Sequence, residues 1–173
     1  MIPVIDFKGP NVLDKIKEAY TTVGFAVFTN TLSDIDQQIM NLWHTKMKEF
    51  FALPLDVKKK YSYQKETNLG YSVMGAENVD PTAPTDMKES YNYNDTRMDP
   101  ALWPTEVEFT NSARASVKIA DNLSIRILEK FDTILDTGTT LVDAHQNPFN
   151  TTRVIHYPAY KGELEDRQMR IGE

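Results

Sequence analysis

The sequence predicts an α+β fold in which short strands and amphipathic helices alternate and a long helix precedes the last strands. Between residues 113 and 135, apolar residues recur at the three- and four-residue spacing of a buried helix face. Residues 151–155 are mostly β-branched, and Pro158, which has no N–H group for a strand ladder, closes this strand. Polar and apolar residues alternate again over residues 167–173, which predicts a further half-buried strand.

The amino-terminal region reads as strand, helix, strand and helix in succession. Residues 2–7 predict the first strand, Gly24 ends the helix that follows, and residues 25–28 predict a buried strand. Ser33 is suited to cap the next helix, with Asp36 at the third helical position. That helix is predicted to carry an apolar stripe formed by Ile35, Ile39, Leu42, Trp43, Met47, Phe50 and Phe51.

Residues 61–104 form a long connection rich in Gly, Asn, Asp, Pro and Tyr, with possible strands at residues 70–73 and 88–93. A connection of this length is uncommon in a compact domain unless it serves a site. The long helix after it is predicted to end at Gly138, and a short helical piece follows at residues 141–145.

Composition excludes several classes of function. The net charge of −6 argues against a nucleic-acid partner, and we interpret the one basic run, residues 58–60, as a solvated helix face. The chain has no cysteine, which excludes disulfides, cysteine-ligated zinc and thiol catalysis and fits a reducing, cytoplasmic location. No apolar run approaches the roughly 20 residues of a membrane span, and residues 1–7 do not form a signal peptide.

Several motifs occur in one collinear order along the chain. They are Gly24-Phe25, Phe50-Phe51-Ala52-Leu53-Pro54, Gly70-Tyr71-Ser72, Asp86-x-Lys88-Glu89-x-Tyr91, Trp103-Pro104, Arg153-x-x-His156-Tyr157-Pro158 and Arg170-Ile171-Gly172-Glu173. In this order the chain resembles the isopenicillin N synthase-like family of non-haem iron(II) oxygenases, most of which depend on 2-oxoglutarate. Asn68 stands where isopenicillin N synthase itself carries a substrate-binding arginine, so the resemblance does not extend to that activity.

The resemblance implies amino-terminal helices and small strands packed on the start of a double-stranded β-helix, or jelly-roll, barrel that is incomplete in this chain. Residues 1–104 would form the amino-terminal region with a loop covering the active site, and residues 105–173 the supporting helix and the first barrel strands. The implied cofactors are Fe(II) and 2-oxoglutarate, and the implied partners are dioxygen and a small-molecule substrate that is hydroxylated, desaturated or cyclised. The family's His-x-Asp iron motif would follow Glu173, so we expect the iron ligands beyond this residue and no activity from the 173 residues alone.

The candidate site residues fall into two groups. Tyr157 and Arg153 are candidates for binding the 2-oxoglutarate or substrate carboxylate, because family members place the tyrosine before this proline inside the barrel. A phenol donates a hydrogen bond to an anion without adding charge, although Tyr157 could instead be a core residue bonded to a backbone carbonyl. Arg153 is either a carboxylate clamp or a surface ion-pair residue. The candidate substrate contacts are Tyr71, Ser72 and Thr151.

None of the three histidines, His44, His145 and His156, is followed two residues later by Asp or Glu, so no iron triad can be recognised. His44 is interpreted as a surface or packing residue, His145 as a helix-end residue and His156 as a structural residue of its strand. An alternative to the oxygenase hypothesis is a non-catalytic binding or assembly module that completes its sheet with a partner chain.

Overall fold

The computed structural model describes residues 1–77, 82, 84–146 and 150–159. The chain divides into two compact units, which are described separately: unit 1 comprises residues 1–41 and 115–149, and unit 2 comprises residues 42–114 and 150–173. The helices are α1 (Val12–Thr22), α2 (Asp34–Phe51), α3 (Leu55–Lys58), α4 (Phe109–Leu135) and α5 (Thr140–Ala144). The strands are β1 (Val4–Asp6), β2 (Val27–Thr29), β3 (Gly70–Ser72), β4 (Glu89–Tyr93) and β5 (Thr152–His156).

Unit 1 is built on the parallel pair β1–β2. Its core consists of Ile5, Ile16 and Ala19, against which Phe28 and Phe131 pack among other partly buried apolar residues. The predicted strand at residues 25–28 is displaced to β2, and the prediction that it is buried was wrong, since Phe25 and Val27 are 67% and 49% exposed and Ala26 and Phe28 are only partly buried. Helices cover only one face of this two-stranded sheet, so the strand residues that are buried are those that face α1 and α4.

Unit 2 is built on an antiparallel sheet of order β3–β4–β5. Its core is aromatic, and its largest fully buried side chains are Phe50, Tyr71, Tyr91, Tyr93 and Phe109. The predicted strands at residues 70–73 and 88–93 are confirmed by β3 and β4. The predicted strand at residues 167–173 lies outside the described residues.

The amino terminus of α2 confirms the predicted cap. The Ser33 hydroxyl accepts a hydrogen bond from the Asp36 backbone N–H at 3.1 Å and donates one to the Asp36 carboxylate at 2.8 Å. The predicted stripe is buried only towards the carboxyl end of the helix: Ile35 and Leu42 are 70% and 52% exposed, whereas Met47 and Phe50 are buried. The periodic spacing of apolar residues identified the helix, but it did not show how much of the apolar stripe is buried.

Gly70 lies where the start of β3 passes close to the backbone of residues 61–63. Its φ is +104°, and a Cβ atom there would lie 2.8 Å from the Ser62 carbonyl oxygen. We therefore expect Gly70→Ala to lower the free energy of unfolding by about 2–3 kcal/mol, through both backbone strain and this clash. Urea denaturation followed by far-UV circular dichroism, which reports the helices of both units, measures the change.

Gly24 provides the matched control, because its φ is +81° and no atom lies within 4 Å of the place that a Cβ atom would take. Gly24→Ala carries only the left-handed backbone strain, which costs about 1 kcal/mol. Equal losses for the two variants would contradict the close backbone approach at Gly70.

No helix among the described residues combines the length and apolar character needed to cross a membrane.

Candidate functional site

The three-stranded sheet of unit 2 presents two chemically different faces. Residues paired directly across antiparallel strands share a face. One face, here called the tyrosine face, consists of Tyr71, Glu89, Tyr91, Tyr93, Thr152, Val154 and His156. The opposite face, here called the serine face, consists of Ser72, Ser90, Asn92, Arg153 and Ile155.

The tyrosine face is a packed core. The Phe50 ring lies 5.0 Å from that of Tyr91 and 5.9 Å from that of Tyr71, measured between ring centroids. The Tyr91 hydroxyl donates a hydrogen bond to the Leu102 carbonyl oxygen at 2.7 Å, and burial raises the pKa of Tyr91. These contacts hold the strands against α2 and the first turn of α4.

A buried carboxylate, Glu89, lies at one end of this largely aromatic face, where β4 begins and β5 ends. Glu89, which is 5% exposed, binds the Lys58 ammonium at 2.7 Å through one oxygen, which also accepts a hydrogen bond from the Tyr71 hydroxyl. Its other oxygen lies 2.8 Å from His156 Nδ1. Lys58 also donates to the Phe51 carbonyl oxygen at 2.9 Å. We call the set Lys58, Tyr71, Glu89 and His156 the Glu89 cluster.

The pKa values in the Glu89 cluster follow from these contacts. Burial alone would raise the pKa of Glu89, but hydrogen bonds from Lys58, Tyr71 and His156 outweigh burial and lower it. Burial and the bond to the carboxylate raise the pKa of Tyr71, which therefore remains a neutral donor. A buried carboxylate is stabilised in its charged form because three donors surround it.

The serine face carries a linked set of charges. Arg153 forms an ion pair with Glu77 and a 3.3 Å hydrogen bond to the Ser90 hydroxyl. Lys88 lies 3.8 Å from Glu77 and 2.8 Å from the Asp86 carboxylate. Two cations and two carboxylates thus alternate along this side of the sheet, next to buried hydroxyls that could bind an anionic ligand.

The motif Asp86-x-Lys88-Glu89 is divided between these two environments. Asp86 and Lys88 pair with each other and join the charges on the serine face, whereas Glu89 turns into the core. Because successive side chains of a strand point to opposite faces, adjacent charged residues can serve separate purposes.

The structure brings some of the predicted site residues together and separates others. Ser72 and Arg153 share the serine face, with Ser90 between them. Tyr71 lies on the opposite face, 2% exposed and bonded to Glu89, so its predicted substrate contact is not supported. Thr151 is exposed just before β5, and its hydroxyl accepts a 3.4 Å hydrogen bond from Arg97.

Tyr157 directly follows β5 and is half-buried. Among the described residues its hydroxyl has no hydrogen-bond partner, so the backbone-bonded core tyrosine considered from the sequence is not observed there. Arg153, with 39% of its side chain exposed, forms the ion pair that was one of its two predicted roles.

Sequence reasoning missed the Glu89 cluster. Lys58 was assigned to a solvated basic run, which was wrong: it is 7% exposed and paired with Glu89. Its signal was the Leu53-Pro54-x-x-x-Lys58 spacing, which places this lysine at the end of α3. His156, for which the sequence predicts a structural role, packs with its ring centroid 5.2 Å from that of Phe51.

Within the ranges that the structure describes, no three His, Cys, Asp or Glu side chains are grouped so that they could hold a metal ion. These residues therefore do not fit an iron site of the two-histidine, one-carboxylate type.

Comparison with known proteins agrees with this architecture. Residues 2–106 match the family described as "non-haem dioxygenase in morphine synthesis N-terminal". No protein of curated function is significantly similar to the chain in sequence.

Three solved structures share the fold. A 2OG-Fe(II) oxygenase family protein from Caulobacter crescentus is 23% identical with a TM-score of 0.78, and the match covers 94% of this chain and 58% of that one. A full-length Neurospora crassa protein in complex with alpha-KG and thymine is 24% identical with a TM-score of 0.73, covering 91% and 55%. JOX2 in complex with 2OG, Fe and JA is 24% identical with a TM-score of 0.74, covering 91% and 48%.

The chain belongs to the non-haem dioxygenase amino-terminal family, since the match covers more than half of its residues. It spans about half the length of these three solved proteins that share its fold.

Proposed function

We propose that this chain is the amino-terminal part of a cytoplasmic iron(II)/2-oxoglutarate-dependent dioxygenase that oxidises a small molecule by hydroxylation, desaturation or ring closure. The family match and the oxygenase structures that share the fold support this proposal. Residues 1–104 would form the amino-terminal region with a loop covering the active site, and residues 105–173, which include β5, would form the supporting helix and the first strands of a jelly-roll barrel. Iron would supply oxygen activation and be held by residues outside the described ranges, so we expect no succinate formation from the 173 residues alone.

Within this proposal the serine face receives a carboxylate of 2-oxoglutarate or of the substrate. This assignment depends mainly on the position of Arg153. Its guanidinium lies beside Ser90 and on the same face of the sheet as Ser72. A guanidinium presents paired donors that match a carboxylate. Tyr157 would add a neutral donor, and Thr151 a hydroxyl, at the two ends of β5.

Glu77 already occupies Arg153, so an incoming carboxylate would compete with this side chain. Because of this competition, the Glu77 and Arg153 variants should change the KM in opposite directions. Glu77→Gln should free the guanidinium and lower the KM for the acid that Arg153 binds, whereas Arg153→Gln should raise that KM about tenfold or more, because charge-assisted hydrogen bonds are lost.

The measurement is succinate formation by the natural gene product that contains this chain, supplied with Fe(II), ascorbate and varied 2-oxoglutarate. Arg114→Gln is the matched control, since this arginine is also exposed and also forms one ion pair, with Asp95. If the KM for 2-oxoglutarate is unchanged in the Glu77 and Arg153 variants, 2-oxoglutarate does not bind to the serine face. The same comparison with an identified substrate acid would then decide whether the substrate carboxylate binds there. A gene product that neither binds 2-oxoglutarate nor forms succinate would instead favour the non-catalytic module.

A further inference from the structure

Unit 1 contains a solvent-open groove of about 500 Å³ between the segment after β1 and one side of α4. Three of its lining residues are cationic, namely Lys8, Arg126 and Lys130, and one, Glu129, is acidic. The volume lies within the range of small-molecule sites, roughly 300–1,000 Å³.

The cations are held against an aromatic floor. The Arg126 guanidinium carbon lies 5.0 Å, and the Lys130 ammonium 4.6 Å, from the centroid of the Phe7 ring, which is itself 4% exposed. Arg126 is further fixed by a 2.8 Å hydrogen bond from Nη1 to the Thr31 carbonyl oxygen. Both cationic groups are therefore positioned before any ligand arrives.

This arrangement leaves positive charge uncompensated. Arg126 and Lys130 are four residues apart on one helix face, a spacing at which like charges repel. Among the described residues, neither Arg126 nor Lys130 forms an ion pair with a carboxylate, and the nearby Glu129 is exposed; Lys8 differs from them, because its charge helps to lower the pKa of Asp6. The groove lining thus has a formal charge of +2 in a chain whose net charge is −6.

We propose that this groove binds a small organic anion, with a phosphate or carboxylate group on Arg126 and Lys130 and an apolar part against Val12 and Leu13. The guanidinium and ammonium, held in place over the Phe7 ring, supply charge-assisted hydrogen bonds to the anion, and the two partly buried aliphatic side chains supply apolar contact. A long polyanion is a poorer fit, because the net negative charge of the whole chain repels it.

The test is calorimetric titration of the chain with phenyl phosphate, inorganic phosphate and phenol as separate probes. Phenyl phosphate is expected to bind more tightly than either of the other two, because each of them offers only one of the two interactions. The affinity should fall when the salt concentration is raised, because the contacts are electrostatic. The double variant Arg126→Gln/Lys130→Gln should weaken phenyl phosphate binding by about tenfold or more.

Lys118→Gln is the matched control, since Lys118 is a cation on the same helix that does not line the groove. Its affinity for phenyl phosphate should stay within about twofold of wild type, because it lowers the charge of the chain without touching the groove. Backbone amide chemical shifts of the wild-type chain give a second measure that does not depend on how the variants fold. Absence of phenyl phosphate binding at millimolar concentration, shifts remote from residues 7 and 126–130, or equal losses in the control and double variants would overturn the proposal.

Discussion

Replacing Glu89 by glutamine is expected to lower the free energy of unfolding of unit 2 by about 3–5 kcal/mol, although the two side chains have nearly the same shape. The reason is the environment of Lys58: its ammonium is 2.7 Å from Glu89, and only 8% of the lysine side chain is exposed. Removing the carboxylate leaves this cation buried without its counter-charge, and it weakens the bonds to Tyr71 and His156. Urea denaturation measures the loss, and both tryptophans, Trp43 and Trp103, lie within the unit that should report it.

Glu49→Gln is the control for Glu89→Gln, because Glu49 pairs with Lys46 at 2.8 Å while 44% of its side chain is exposed. An exposed pair of this kind contributes only about 0.2–1 kcal/mol. Adding Lys58→Met to Glu89→Gln should recover part of the stability, because the unpaired buried charge is then gone. A loss for Glu89→Gln no larger than that for Glu49→Gln would contradict the buried ion pair.

The stabilities of wild type and Glu89→Gln should respond differently to acid. The folded-state pKa of Glu89 is lower than its ordinary value of 4.5, so its contribution is complete above that pH and is lost as the pH falls through the folded-state pKa. The stability difference between wild type and Glu89→Gln should therefore be constant near neutral pH and narrow below pH 4.5. An undiminished difference in strong acid would show that Glu89 does not act through its charge.

Replacing Phe50 by alanine is the second change for which we expect a large effect, a loss of about 3–5 kcal/mol. Phe50 is fully buried, and its ring lies 5.4 Å from those of both Phe51 and Phe109 and 5.0 Å from that of Tyr91. Truncation removes the contacts that join α2, β4 and α4 and leaves a cavity among rigid rings that cannot collapse to fill it. Urea denaturation followed by tryptophan fluorescence is again the measurement.

Leu55→Ala is the control for Phe50→Ala in the same unit, because Leu55 is 50% exposed on α3. Its loss should remain within about 0.5 kcal/mol. Phe50→Leu, which keeps an apolar side chain, should fall between the two. Comparable losses for Phe50→Ala and Leu55→Ala would show that the aromatic cluster does not carry the stability of unit 2.

The sequence by itself identified the family and the positions of most of the described helices and strands. Ser33 with Asp36 marked the start of α2, Gly24 marked the end of α1, and the strands predicted at residues 70–73 and 88–93 correspond to β3 and β4. These signals are local, because a cap or a periodic pattern depends on residues a few positions apart. The family motifs could be recognised for a related reason, since they keep their order along the chain whatever surrounds them.

Only the tertiary structure showed which face of each strand belongs to the core and which belongs to the candidate ligand site. Tyr71 and Ser72 are neighbours in one motif, yet Tyr71 belongs to the core and Ser72 to the candidate ligand face. The choice depends on the side of the sheet that Phe50 and Phe109 cover, and both lie far from β3 in sequence. The prediction for Lys58 was wrong for a similar reason. Its partner Glu89 is 31 residues away along the sequence, and no local sequence pattern indicates a buried charge pair between residues so far apart.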